Sequence, residues 1–142
     1  MADWVSSGTI YFRAYILARG DFDPNGWLLA LRRVGARSLA FYSATPSRTV
    51  ILADDRFSGR LSMVGLPRDR YVCVQVAFTF GDPNGSVEVR YDGVLSLVEN
   101  PPVRGTVQGF AIGTLYPFPP GVNRGDALFD EVVIDTSPIP CD

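Results

Sequence analysis

The chain has no histidine and no lysine, and these two absences exclude a good deal of chemistry. Without histidine, one chain can build no Ser–His–Asp triad, no Cys–His dyad and no His-ligated zinc. Without lysine it can form no Schiff base. All 13 cations are arginine, set against 12 Asp and 3 Glu for a net charge of −2. The arginines are scattered, so no basic stripe marks a nucleic-acid partner. Arginine in place of lysine is most simply the mark of a GC-rich genome. No apolar run reaches the roughly 18 residues of a membrane-spanning helix. The opening stretch Met1-Ala-Asp-Trp-Val-Ser-Ser-Gly8 carries neither a charged n-region nor an apolar h-region, so the expectation is a mature or trimmed domain with its signal peptide outside this chain. No segment holds a 3.6-residue apolar period with helix caps.

What is present points to a folded all-β domain. A hydrophobic fraction of 46% with 12% aromatics excludes disorder, and 142 residues suit one domain. Residues 9–18 alternate, with Ile10, Phe12, Ala14 and Ile16 on one face and Tyr11, Arg13, Tyr15 and Leu17 on the other. Further strands are expected at 27–34, 38–43, 49–53 and, extended at least, 60–66. In 71–80 the residues Val72, Val74, Val76, Phe78 and Phe80 share a face. Gly81-Asp-Pro-Asn-Gly85 then turns the chain, with Pro83 preset for the turn and Gly85 free to take φ > 0. Strand 86–91 returns with Val87, Val89 and Tyr91 inward and Glu88 and Arg90 outward, and Asp92-Gly93 suits a type I′ turn into 94–98. Strands at 109–115 and 128–136 complete the series. Ten short strands with frequent turns predict an antiparallel sandwich or barrel. Asp-Pro-Asn-Gly occurs twice, 59 residues apart without flanking similarity, which is repeated turn chemistry and no internal repeat.

Two cysteines remain. Cys73 lies within an apolar strand, while Cys141 follows Pro138-Ile-Pro140 at the end of the chain, where a buried thiol has little reason to pack. A Cys73–Cys141 disulfide is expected, with a pair of buried thiols as the alternative. Closing a loop of 68 residues stabilises by roughly 4 kcal/mol in the chain-entropy account. Such a bond also implies an extracellular or periplasmic home.

From Tyr71 onward the chain resembles the laminin-G-like, concanavalin-A-like jelly rolls of secreted bacterial proteins. The resemblance is carried by Asp69-Arg-Tyr-Val-Cys-Val-Gln-Val-Ala-Phe78, by Gly81-Asp-Pro-Asn-Gly85 and by Val87-Glu-Val-Arg-Tyr-Asp-Gly93. The ending Phe129-Asp-Glu-Val-Val-Ile-Asp-Thr-Ser-Pro-Ile-Pro-Cys-Asp142 is similar to the Asp- and Val-rich last strand of those domains, and Ile10-Tyr-Phe-Arg-Ala-Tyr15 to an early sheet strand. Tyr71 stands where the family commonly has Trp. The resemblance implies an N-terminal arm over 1–8 and a jelly-roll sandwich over 9–142. In the family, a cysteine after the strand-end proline often pairs with one in the position of Cys73.

Four candidate sites follow. The first is a concave sheet face bearing Tyr11, Arg13, Tyr15, Gln75, Glu88, Arg90 and Glu131. Flat rings and planar amide, guanidinium and carboxylate groups are what a pyranose requires. A plain solvated face with cross-strand ion pairs fits the same residues. The second is a calcium loop at Asp21, Asp23 and Asn25, which opens like an EF-hand but has Arg32 at position twelve, so a hairpin turn is preferred. Asp54-Asp55 is a looser variant of that idea, and a solvated loop is preferred there too. The third is glycoside hydrolysis, which needs two facing carboxylates. The laminarinase-like members carry a Glu-x-Asp-x-x-Glu strand, which is absent, and simple alternation sends Asp130 and Asp135 to opposite faces. The alginate-lyase relatives need a His. The fourth is Arg124-Gly-Asp126, an integrin-type tripeptide that chance explains in an Arg- and Gly-rich chain. Trp4 and Trp27 sit beside turns as possible stacking platforms, with packing preferred for Trp27.

The expectation is therefore a non-catalytic, lectin-like module binding a glycan or polysaccharide. A structural or adhesive sandwich that self-associates or binds protein is the alternative, and a glycan-cleaving enzyme ranks last. No nucleic-acid partner, membrane span or obligatory cofactor is expected, with Ca²⁺ the one ion considered.

Overall fold

The computed structural model describes residues 6–19, 27–34, 39–45, 48–52, 59–61, 65–100, 102–115 and 127–142. Ten strands run in chain order: β1 (Thr9–Ala18), β2 (Trp27–Val34), β3 (Leu39–Thr45), β4 (Arg48–Leu52), β5 (Gly59–Leu61), β6 (Tyr71–Thr79), β7 (Ser86–Tyr91), β8 (Val94–Glu99), β9 (Thr106–Leu115) and β10 (Ala127–Asp135). They form two five-stranded sheets of order β10-β1-β6-β7-β8 (sheet one) and β5-β4-β3-β2-β9 (sheet two). Every pairing is antiparallel. The protein is an all-β sandwich.

Alternation builds the core. Ile10, Phe12, Ala14 and Ile16 of β1 are buried, as are Val72, Val74, Val76 and Phe78 of β6 and Val87, Val89 and Tyr91 of β7. Phe80 packs against the same cluster, and sheet two contributes Leu28, Leu29, Leu31 and Val107 to it. Burying each such Phe, Ile or Leu stabilises by roughly 1.5–3 kcal/mol. β1 and β6 lie side by side in the middle of sheet one, so their outward faces have ordered strands on both sides.

Strand bounds shift by up to three residues, as in β9, which begins at Thr106 and not at 109, and three further local details differ from the sequence reading. β5 spans only Gly59–Leu61, and Leu66, expected in an extended 60–66, is a buried core residue outside any strand. At the β6–β7 turn the Asp82–Pro83 peptide is cis, and Gly85 does not adopt positive φ. The glycine this turn requires is Gly81, where a Cβ would run into the Asn84 carbonyl. Gly81 is fixed by exchanging backbone hydrogen bonds with Val103 at 3.0 and 2.8 Å. The third difference, a bulge in β10, shapes the candidate site. The β7–β8 turn follows expectation, with Asp92 at φ 50° and Gly93 at φ 78°, the pair of positive values a type I′ turn requires.

Candidate functional site

Register assembles the outward face of sheet one. β1 pairs with β6 as Tyr11↔Ala77, Arg13↔Gln75 and Tyr15↔Cys73. β6 pairs with β7 as Gln75↔Arg90 and Ala77↔Glu88. Directly opposed residues share a sheet face, so Tyr11, Arg13, Tyr15, Gln75, Glu88 and Arg90 come together as the alternation predicts.

Glu131 joins them by a different route. The β1–β10 register passes from Arg13↔Val133 to Tyr15↔Asp130, so Glu131 and Val132 together oppose Ala14. This is a β-bulge, a device that re-aims side chains. Glu131 takes φ 46°, a left-handed conformation that costs a non-glycine residue about 1–2 kcal/mol. The Asp130 Oδ1 accepts a hydrogen bond from the Glu131 amide at 2.8 Å. The extra residue also corrects the expectation for the strand's carboxylates. Phe129, Val132 and Ile134 pack toward the core, which leaves Asp130, Glu131 and Asp135 all exposed. Asp130 and Asp135 are thus not sent to opposite faces, because the bulge shifts the period between them.

Beyond β10, residues 136–142 fold back as a strap over β1 and β6. Cys73 and Cys141 are joined by a disulfide, with their Cα atoms 6.0 Å apart. The Gln75 Nε2 donates to the Ile139 carbonyl at 2.7 Å. The Arg13 guanidinium donates to the Pro140 carbonyl at 3.1 Å, to the Asp142 carboxylate at 3.2 Å and to Glu131 Oε2 at 3.3 Å. The Tyr15 hydroxyl donates to the Asp142 carbonyl and accepts from the Asp142 amide, at 3.3 and 3.1 Å. Arg13 also lies 5.5 Å from the Tyr15 ring centroid, within cation–π range. The strap leaves Arg13 only 7% exposed, although alternation alone places it on an open face. From the other side, Asp92 braces the disulfide: its Oδ1 accepts from the Cys73 amide at 3.0 Å while its carboxylate pairs with Arg70 at 2.8 Å.

Between the strap and β7 lies a cavity of about 210 Å³, with Tyr11, Gln75, Glu88 and Arg90 on the sheet side and Pro138, Ile139 and Pro140 on the strap side. Arg90 and Glu88 form an ion pair at 3.3 Å on its floor. The Gln75 Oε1 is buried and finds no hydrogen-bond partner among the described residues. The amide orientation is set by the bond to Ile139, so Gln75 lines the cavity with its Oε1 shielded from solvent. The volume is below the roughly 300–1,000 Å³ of a drug-sized site and suits one small ring. Sequence reasoning missed the strap residues as lining. The signal available was Cys141 itself, since a residue tied to Cys73 must carry its neighbours across the face that Cys73 shares.

Among the described residues no group of three Cys, Asp or Glu side chains converges as a metal site. Asp21, Asp23, Asn25, Asp54, Asp55, Arg124, Gly125, Asp126, Trp4 and the side chain of Trp27 lie outside the described residues. No described helix is long and apolar enough to cross a membrane.

No family model and no curated protein sequence matches the chain. Its structure superposes on that of alginate lyase Aly36B with a TM-score of 0.59, covering 93% of this chain and 71% of that one at 10% sequence identity. The two proteins share a β-sandwich fold.

Proposed function

We propose that the protein is a non-catalytic carbohydrate-binding module of a secreted or surface protein, built as a laminin-G-like jelly roll over 9–142. The observation that carries this reading is the cavity, where Tyr11, Gln75, Glu88 and Arg90 converge. An aromatic ring beside an amide, a guanidinium and a carboxylate offers the mixed apolar and bidentate contacts that sugar rings take. The fold shared with a polysaccharide-cleaving protein supports the same class of ligand. The disulfide supports an oxidising compartment.

Catalysis is not part of the reading. A retaining glycosidase uses two carboxylates about 5 Å apart, and Glu88 is the one carboxylate lining the cavity among the described residues. The sequence offers no histidine to serve as acid or base.

The test is a glycan array on folded, oxidised protein, with calcium and again with chelator. Saturable binding to one sugar class supports the reading, and its loss on chelation would return Asp21, Asp23 and Asn25 to consideration as cation ligands. A blank array in both conditions removes it.

One observation favours a second reading, an adhesive or self-assembling sandwich. β8 is an edge of sheet one, and it exposes Val94 (71%), Leu95 (47%) and Val98 (43%). An apolar edge strand without lysine or proline invites pairing with another chain. A mass that rises with concentration across the micromolar range, on protein blank for glycans, would favour that alternative.

A further inference from the structure

We infer that the strap restricts the site to a single ring at a chain end, so that the protein recognises glycan termini and not the interior of a polysaccharide. The inference rests on the carbohydrate reading above and adds the kind of ligand. Its basis is the unequal state of the outward face. On the β1–β10 side, the strap itself takes the groups that would extend a binding groove. Arg13 spends its guanidinium on the Pro140 carbonyl, Asp142 and Glu131. The Tyr15 hydroxyl is used in both directions by Asp142. A sugar chain running across the strands from β7 toward β10 would meet Pro138, Ile139 and Pro140 after one ring.

That wall is held in place. The Cys73–Cys141 bond and the Gln75–Ile139 hydrogen bond pin it from two positions on β6. Two prolines within the segment restrict its backbone further. On the cavity side, Arg90 and Glu88 are both partly exposed and face the same space as Tyr11. A terminal ring therefore finds one aromatic ring, one donor fork and one carboxylate, with the rest of its chain directed out past β7. Carbonyls and proline rings on the strap side offer a second ring no comparable set.

The test titrates cello-, laminari- and alginate oligosaccharides of one to six units into oxidised protein, each beside its parent polymer, with affinity expressed per chain. Terminal recognition predicts an affinity that is flat from two units to six, and polymer that competes only in proportion to its ends. In the Cys73→Ser/Cys141→Ser variant, freeing the strap should restore length dependence, with the six-unit chain gaining about tenfold over the two-unit chain, the equivalent of 1.4 kcal/mol. Affinity that climbs steadily with length in the oxidised wild-type protein overturns the inference while leaving the carbohydrate reading intact. Absence of binding by every ladder, on protein that is also blank on the array, removes both. The wild-type titration decides the question even if the double variant does not fold.

Discussion

The β1–β10 half of the outward face and the β6–β7 half carry similar side chains and hold them in different states. Each half has an arginine beside a glutamate, at 3.3 Å in both cases, and each has aromatic or amide surface nearby. Arg13 is buried by the strap and bonded to three partners, whereas the Arg90 side chain is 39% exposed and pairs with Glu88 two residues away on its own strand. The strap covers the arginine of the first half and leaves Arg90 and Glu88 of the second partly exposed. The difference lies in where residues 136–142 run, and it teaches that an outward face is not a solvent face until the chain's own end has been placed.

Removing the disulfide should break the distinction most completely. Replacing Cys73 and Cys141 by Ser should cost about 2–4 kcal/mol, read as a lower urea midpoint with a steeper slope, because the unlinked unfolded chain exposes more surface. Exchange of the Asp142 amide, which donates to the Tyr15 hydroxyl, should rise together with it; continued protection there would show that the hydrogen bonds alone hold the strap.

Arginine truncation in each half sharpens the comparison. Arg13→Ala should cost about 2 kcal/mol by denaturant titration, since its hydrogen bonds are charge-assisted but end on the exposed carboxylates of Glu131 and Asp142. Placed in the Cys73→Ser/Cys141→Ser background, the same change should cost less, because it shares the strap with the disulfide. Additive losses would mean that Arg13 acts through packing in β1 and not through the strap.

A smaller effect is expected at the bulge. Glu131→Gly should be about 1 kcal/mol more stable than Glu131→Ala, because glycine accepts the positive φ and alanine does not. Equal stabilities would show that the bulge relaxes once the glutamate is gone.

The smallest change in stability belongs to the open half. Arg90→Ala should shift stability by no more than about 0.5 kcal/mol while weakening binding of whichever glycan the array identifies. A stability loss as large as that of Arg13→Ala would erase the contrast between the halves.

Much of this was legible in the residues. Strict alternation in β1, β6 and β7 marks which side chains enter the core, because a strand has a period of two and one buried face. The same rule places Tyr11, Arg13, Tyr15, Gln75, Glu88 and Arg90 on the other face, and Asp92-Gly93 announces its turn because both residues tolerate positive φ. Alternation fails where the period slips. At Glu131 an inserted residue reverses the parity of β10, and no glycine marks the place.

The sequence by itself determined most of the strands, the inward faces of β1, β6 and β7, and which two cysteines could pair, since each depends on local pattern or on there being one choice. Tertiary structure alone decided that the strap lies across Arg13 and Tyr15 and leaves Gln75 and Arg90 facing a cavity. That outcome depends on contacts between residues more than 60 positions apart, such as Arg13 with Asp142 and Gln75 with Ile139. Residues 138–142 have no periodicity to report which surface they cover, so their place is set by the disulfide and by the hydrogen-bond partners it brings within reach.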